Sequence, residues 1–194
     1  MLLRSLALLL FCVGMADALV LSEHQAQGSG YDANDEYLDA DSLRVLGELP
    51  LITTLSDIVD VLGPPDSTIV FDRYEQCPNY FYRYCPESYE HALWNETEVE
   101  LCVERAVFRL LSFENDPELF VTYPGGLRLS AETTPADVGA FFPGAAERLH
   151  EVDVYEKGTY DRISLAAEPP PAESALMLFF SEGNLAFMNY WFPC

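Results

Sequence analysis

Leu55, Ile58, Val59 and Leu62 recur at helical spacing and predict a short amphipathic helix. Thr54 in front of them suits an N-cap, Asp57 suits the first turn, and Gly63-Pro64-Pro65 ends the run. The arrangement returns downstream. Thr134 caps, Pro135 takes the first helical position, Asp137 repeats Asp57, and Val138, Phe141 and Phe142 supply the apolar face. Pro143-Gly144 is expected to end this second helix.

After each helix the pattern changes toward β. Residues 100–113 read as one long strand, followed by a turn at Asn115-Asp116-Pro117 and a strand over 118–123. Residues 175–180 repeat this, with a turn at Glu182-Gly183-Asn184 and a strand over 185–192. On that alignment Phe113 corresponds to Phe180, Phe120 to Phe187 and Tyr123 to Tyr190, so helix followed by hairpin occurs twice. Weaker β patterns cover 67–74, 80–85, 127–131, 152–155 and 160–166, and Pro169-Pro170-Pro171 is an extended connection. The expected fold is α+β: two tandem modules, 49–126 and 127–194, each a short helix packed on a small antiparallel sheet. Neither helix can bury its apolar face alone, which requires that layering.

A capped short helix ending in Leu62-Gly63-Pro64-Pro65, then antiparallel strands and a terminal hairpin carrying Glu182-Gly183-Asn184-Leu185, resembles small bacterial envelope modules. These are the SmpA/OmlA-type outer-membrane assembly lipoproteins and the tandem-repeat beta-lactamase inhibitory protein. The resemblance runs over residues 50–192. It implies helix-on-sheet modules that act by binding other proteins rather than by catalysis. The chain departs from those families in lacking a lipobox, in its longer strands between helix and hairpin, and in its far more acidic charge. No contact residue is carried over.

The N-terminal region changes the expected compartment. Arg4, the apolar stretch 6–13 and Ala16-Asp17-Ala18 have the layout of a secretory signal peptide over 1–18. Cys12 follows Phe11 rather than a small residue, which disfavours lipidation. No later segment holds the ~20 apolar residues of a membrane span, so no membrane insertion is expected after signal removal, and the periplasm or the extracellular medium is the expected location. Residues 19–48 read as an acidic, partly disordered arm, with flexible Gly28-Ser29-Gly30 and a dense acidic run from Asp32 to Asp41. Asp32, Asn34 and Glu36 have calcium-loop spacing, but Tyr37 stands where an EF-hand needs glycine and the distal glutamate is missing.

Export gives the cysteines meaning. Cys77, Cys85, Cys102 and Cys194 remain after the signal, and an even set in an oxidising compartment favours two disulfides. Cys77–Cys85 with Cys102–Cys194 is the first choice, because the first pair is close in sequence and the second would clip the C-terminus. The alternative keeps one or more as a buried thiol.

The formal net charge is −22, with 10 basic against 32 acidic side chains. Such a field opposes nucleic acid, whose affinity rests on Lys and Arg, and anionic lipid surfaces. Simple solubility, a basic protein partner and cation binding stay open as its purpose.

Catalytic patterns are thin. Histidines stand only at His24, His91 and His150, and the nucleophile elbow, the H-E-x-x-H helix and the P-loop are absent. Paired carboxylates could serve glycoside hydrolysis, but among so many acidic residues some pair always falls at a suitable distance. No catalytic residue, metal site or cofactor is expected. Asn95-Glu96-Thr97 is a glycosylation sequon, relevant only in a eukaryotic secretory pathway.

The strongest local anomaly is aromatic. Tyr74, Tyr80, Tyr82, Tyr84 and Tyr89 crowd one stretch. As a strand, Tyr80, Tyr82 and Tyr84 would share one face, with Phe81 and Arg83 on the other, pinned by Cys77 and Cys85. Tyrosine and arginine dominate binding hot spots, which makes Tyr80, Tyr82, Arg83 and Tyr84 the candidate partner-binding residues. The other reading is a tyrosine-covered sheet face. The expected function is an exported, non-catalytic protein-binding module, with an inhibitor or immunity-type protein acting on a basic partner as its narrower form. An envelope assembly factor is the alternative, and a carboxylate-dependent hydrolase the third.

Overall fold

The computed structural model describes residues 36–72, 80–81, 85, 88–155 and 157–193. In chain order a 3-10 turn (Ala40–Ser42) precedes β1 (Arg44–Val45), β2 (Leu49–Pro50), β3 (Ile52–Thr54) and α1 (Leu55–Leu62). There follow β4 (Ser67–Asp72), β5 (Ser88–Trp94), β6 (Thr97–Cys102), β7 (Arg105–Ser112), β8 (Phe120–Thr122) and β9 (Arg128–Ser130). Next come α2 (Pro135–Gly139), α3 (Pro143–Glu147), β10 (His150–Val154), β11 (Gly158–Ala166), β12 (Ala175–Ser181) and β13 (Asn184–Trp191).

The expected α+β pair of small sheets is corrected. Among the described residues thirteen strands form two sheets, and the three helices are short. One nine-stranded antiparallel sheet runs β10-β11-β12-β13-β7-β6-β5-β4, with β3 on the edge of β7 beyond the reach of β13. It is continuous through the β7–β13 seam, where Leu111 faces Met188. A four-stranded sheet, β2-β1-β8-β9, packs Val45, Val121 and Leu129 into the main core with no exposed surface.

The two helix starts form as the sequence predicts. The Thr54 side chain accepts the Asp57 N–H, and Thr134 with Asp137 completes a capping box around Pro135. Gly63 closes α1 at φ 77°, donating to the Val59 carbonyl, a conformation that disfavours a side chain. Ile58 is the fully buried residue of α1, a burial worth roughly 1.5–3 kcal/mol. Pro143 does not end the second helix. It opens α3, while Phe142 is buried and Phe141 remains exposed.

The proposed long strand over 100–113 is two strands of a hairpin, broken at Val103-Glu104. That turn has no Gly, Asn, Asp or Pro to announce it. Phe113 therefore lies beyond β7, where its N–H donates to the Ala186 carbonyl, and Phe120 belongs to the second sheet. The repeat is instead a four-stranded meander, β4 to β7 and β10 to β13, joined through the last strand of each.

Residues 36–48, the C-terminal end of the expected acidic, partly disordered arm, pack against the sheet. Leu38 and Ala40 donate their N–H groups to Ala166 and Ala167, and Leu38, Leu43 and Val45 are buried. Their apolar positions were hidden among acidic neighbours. The proposed signal peptide and residues 19–35 lie outside the described residues.

Candidate interaction site

Side chains alternate across β5 and β6, so Ala92, Val99 and Leu101 share one face and His91 and Glu100 the other. There Glu100 has no exposed surface. Its Oε1 accepts the Phe81 N–H at 2.8 Å, its Oε2 accepts the Tyr80 N–H at 3.2 Å, and Arg109 Nη1 lies 3.6 Å from Oε2. Burial pushes the Glu100 carboxyl above the usual range, and these partners oppose the shift without reversing it.

Phe81 is fully buried beneath the Arg105 guanidinium, 5.2 Å from the ring centroid. Tyr80 is half-buried and meets Phe81 and Phe192 edge-on, each at 5.0 Å, with Arg109 over Phe192. The Cys85 N–H donates to the Phe81 carbonyl at 2.8 Å, and Cys85 lies at disulfide distance from Cys102, with Cα atoms 5.9 Å apart. Carboxylate and disulfide thus tie the segment to β6 at two points.

This corrects two expectations. Tyr80 and Phe81 form a turn where the sequence favoured β, and the Cys85 N–H returns to the Phe81 carbonyl; the rest of the expected 80–85 strand lies outside the described residues. Cys102 pairs with Cys85, so neither Cys77–Cys85 nor Cys102–Cys194 forms. Chain proximity favoured Cys77, but Cys85 lies against Cys102 at the end of β6. Of the candidate binding residues, Tyr80 is placed as above; Tyr82, Arg83 and Tyr84 lie outside the described residues, as do Cys77 and Cys194. His24, Asp32 and Asn34 also lie outside them.

His91 Nδ1 sits 2.6 Å from Glu98 Oε1. Burial raises the Glu98 pKa, but the hydrogen bond and charge of His91, with Arg109 and Lys157, outweigh it and lower the carboxyl. Glu98 and Glu100 are therefore driven in opposite directions, the pattern of an acid–base pair. The geometry opposes that use, because Glu100 is sealed and its oxygens are held by backbone N–H groups. His150 is exposed, held by the Arg148 carbonyl and by Arg162.

Elsewhere, an open depression of about 310 Å³ is lined by Arg128, Glu132, Asp137 and Phe141, among others. Asp137 is committed to the cap of α2. Glu36, part of the calcium-like spacing, accepts the Ala145 N–H instead. Asn95 of the sequon sits at the β5–β6 turn, and Thr97 is buried with its hydroxyl accepting the Ser112 N–H. Among the described residues no group of three or more His, Cys, Asp or Glu side chains could hold a metal ion, and no helix is long and apolar enough to cross a membrane.

No protein-family model, no curated protein and no solved structure matches this chain.

Proposed function

We propose that the protein is an exported, non-catalytic protein-binding module whose acidic surface engages a basic partner through the tyrosine-rich connection between β4 and β5. The supporting observation is the double tie of that connection to β6, through Glu100 to Tyr80 and Phe81 and through Cys102 to Cys85. A recognition segment fixed in advance loses less conformational entropy on binding, leaving more of the contact energy as affinity. Tyrosine and arginine are suited to such a segment, and the charge of −22 favours steered capture of a cationic protein.

The test is affinity capture from native extract with the protein as bait, at low and high salt. A basic protein retained at low salt and released at high salt supports the reading. No specific partner at either salt contradicts it. Stable, salt-independent association with envelope complexes would favour the assembly-factor alternative.

A further inference from the structure

The two ends of the β10-to-β4 strand path are built differently. β10 ends one side and exposes Glu151 and Asp153, charges that oppose the addition of another strand. β4 ends the other side, pairs with β5 along all six residues, and has no described strand on its outer side. Ser67, Thr68, Ile69 and Val70 are all exposed, Ile69 by 47% and Val70 by 65%. No charge or proline interrupts those four, and the register with β5 runs without a bulge. Such an edge offers outward N–H and C=O groups to any extended chain.

We propose that β4 is a docking edge that takes an extended segment of a basic protein partner as an added strand. This deepens the protein-binding reading above and rests on it. Charge selects the occupant. Asp66 and Asp72 bracket the apolar run in sequence, and exposed Glu90 stands opposite Val70 in β5. A short β-branched stretch flanked by lysine or arginine complements that arrangement. A second copy of the chain carries the same −22 charge and the same acidic bracket, which makes it a poor occupant.

The probe is a fluorescent heptapeptide of alternating valine and threonine with lysine at both ends, titrated against the purified protein. An acid-flanked version and a version N-methylated at alternate residues accompany it. The basic peptide should bind at least about tenfold more tightly than the acidic one. The N-methylated peptide should not bind, because strand addition depends on backbone hydrogen bonds. Val70→Lys should weaken binding at least about tenfold with its melting temperature unchanged, and Ile69→Lys replaces it should it fail to fold.

Binding of the N-methylated peptide at full affinity overturns the proposal, as does no binding of any peptide or binding indifferent to both substitutions. A concentration-dependent dimer abolished by Val70→Lys also overturns it, by assigning the edge to a second copy. A captured partner held equally by Val70→Lys refutes the edge alone. Absence of any partner for the wild type refutes the reading beneath it.

Discussion

Glu100 of β6 accepts the backbone N–H of Phe81, nineteen residues earlier in the chain, at 2.8 Å from a position with no exposed surface. A carboxylate is expensive to bury, and this one is offset by two backbone donors and the Arg109 guanidinium. The bond holds the start of the tyrosine-rich segment against the sheet, and the Cys85–Cys102 pair holds the segment further along.

Glu100→Ala leaves the Tyr80 and Phe81 N–H groups and Arg109 without their carboxylate. It should lower stability by about 3–5 kcal/mol in urea unfolding. Glu100→Gln, which keeps one acceptor oxygen, should cost less. Limited proteolysis of the alanine variant should cut first within residues 73–87. Wild-type stability and an uncut connection would dismiss the tie.

Cys85 and Cys102 should appear joined in a single peptide after non-reducing digestion and mass spectrometry. Cys85→Ser should lower stability by about 2–4 kcal/mol, the usual contribution of a bridge closing a loop of this length. Recovery of Cys102 joined to another cysteine would contradict the pairing.

Stability should vary with pH in two opposed ways. Thr54 and Thr53 lower the pKa of Asp57, and Thr134 lowers that of Asp137, from an ordinary 3.8. Their contribution is present above that value and is lost as pH falls through the lower folded value. Glu98, also lowered, follows the same sign from 4.5. Glu100 is raised, so its contribution is fully present below 4.5 and is lost as pH climbs through its folded value. Melting temperatures of wild type and Asp137→Asn across the acid range should differ, with the variant losing less on acidification. Parallel curves would exclude the cap as a contributor.

Val103 is 88% exposed and sits at φ 59°, a left-handed conformation that a β-branched side chain tolerates poorly. Val103→Asn should raise stability by about 1 kcal/mol by relieving that strain. A thermal melt that moves down instead would show that the valine side chain contributes a contact of its own.

The helix caps were legible because Thr, Pro and Asp act within one turn, and local chemistry suffices to place them. The hairpin repeat was legible only in outline. Thr54 and Thr134 stand 80 residues apart but Phe113 and Phe180 only 67, so the two alignments could not both hold. The meanders obey the longer spacing, with Arg105–Ser112 answering Asn184–Trp191. β5 and β6 escaped the pattern because His91, Glu98 and Glu100 read as surface residues, although each meets a partner in the fold. The Glu100 tie had no signal at all, since one glutamate among 32 acidic residues is marked only by long-range packing. The tyrosine cluster was visible at once, but its turn depends on that same packing.

The most direct test of the binding account compares partner affinity across three alanine variants. Tyr82→Ala and Arg83→Ala fall in the proposed contact, while Tyr155→Ala removes a tyrosine that is 87% exposed at the β10–β11 turn. The account predicts that each of the first two weakens the captured partner at least about tenfold, a hot-spot loss, and that Tyr155→Ala leaves affinity unchanged. Wild-type affinity in Tyr82→Ala and Arg83→Ala, or an equal loss in all three, would contradict it.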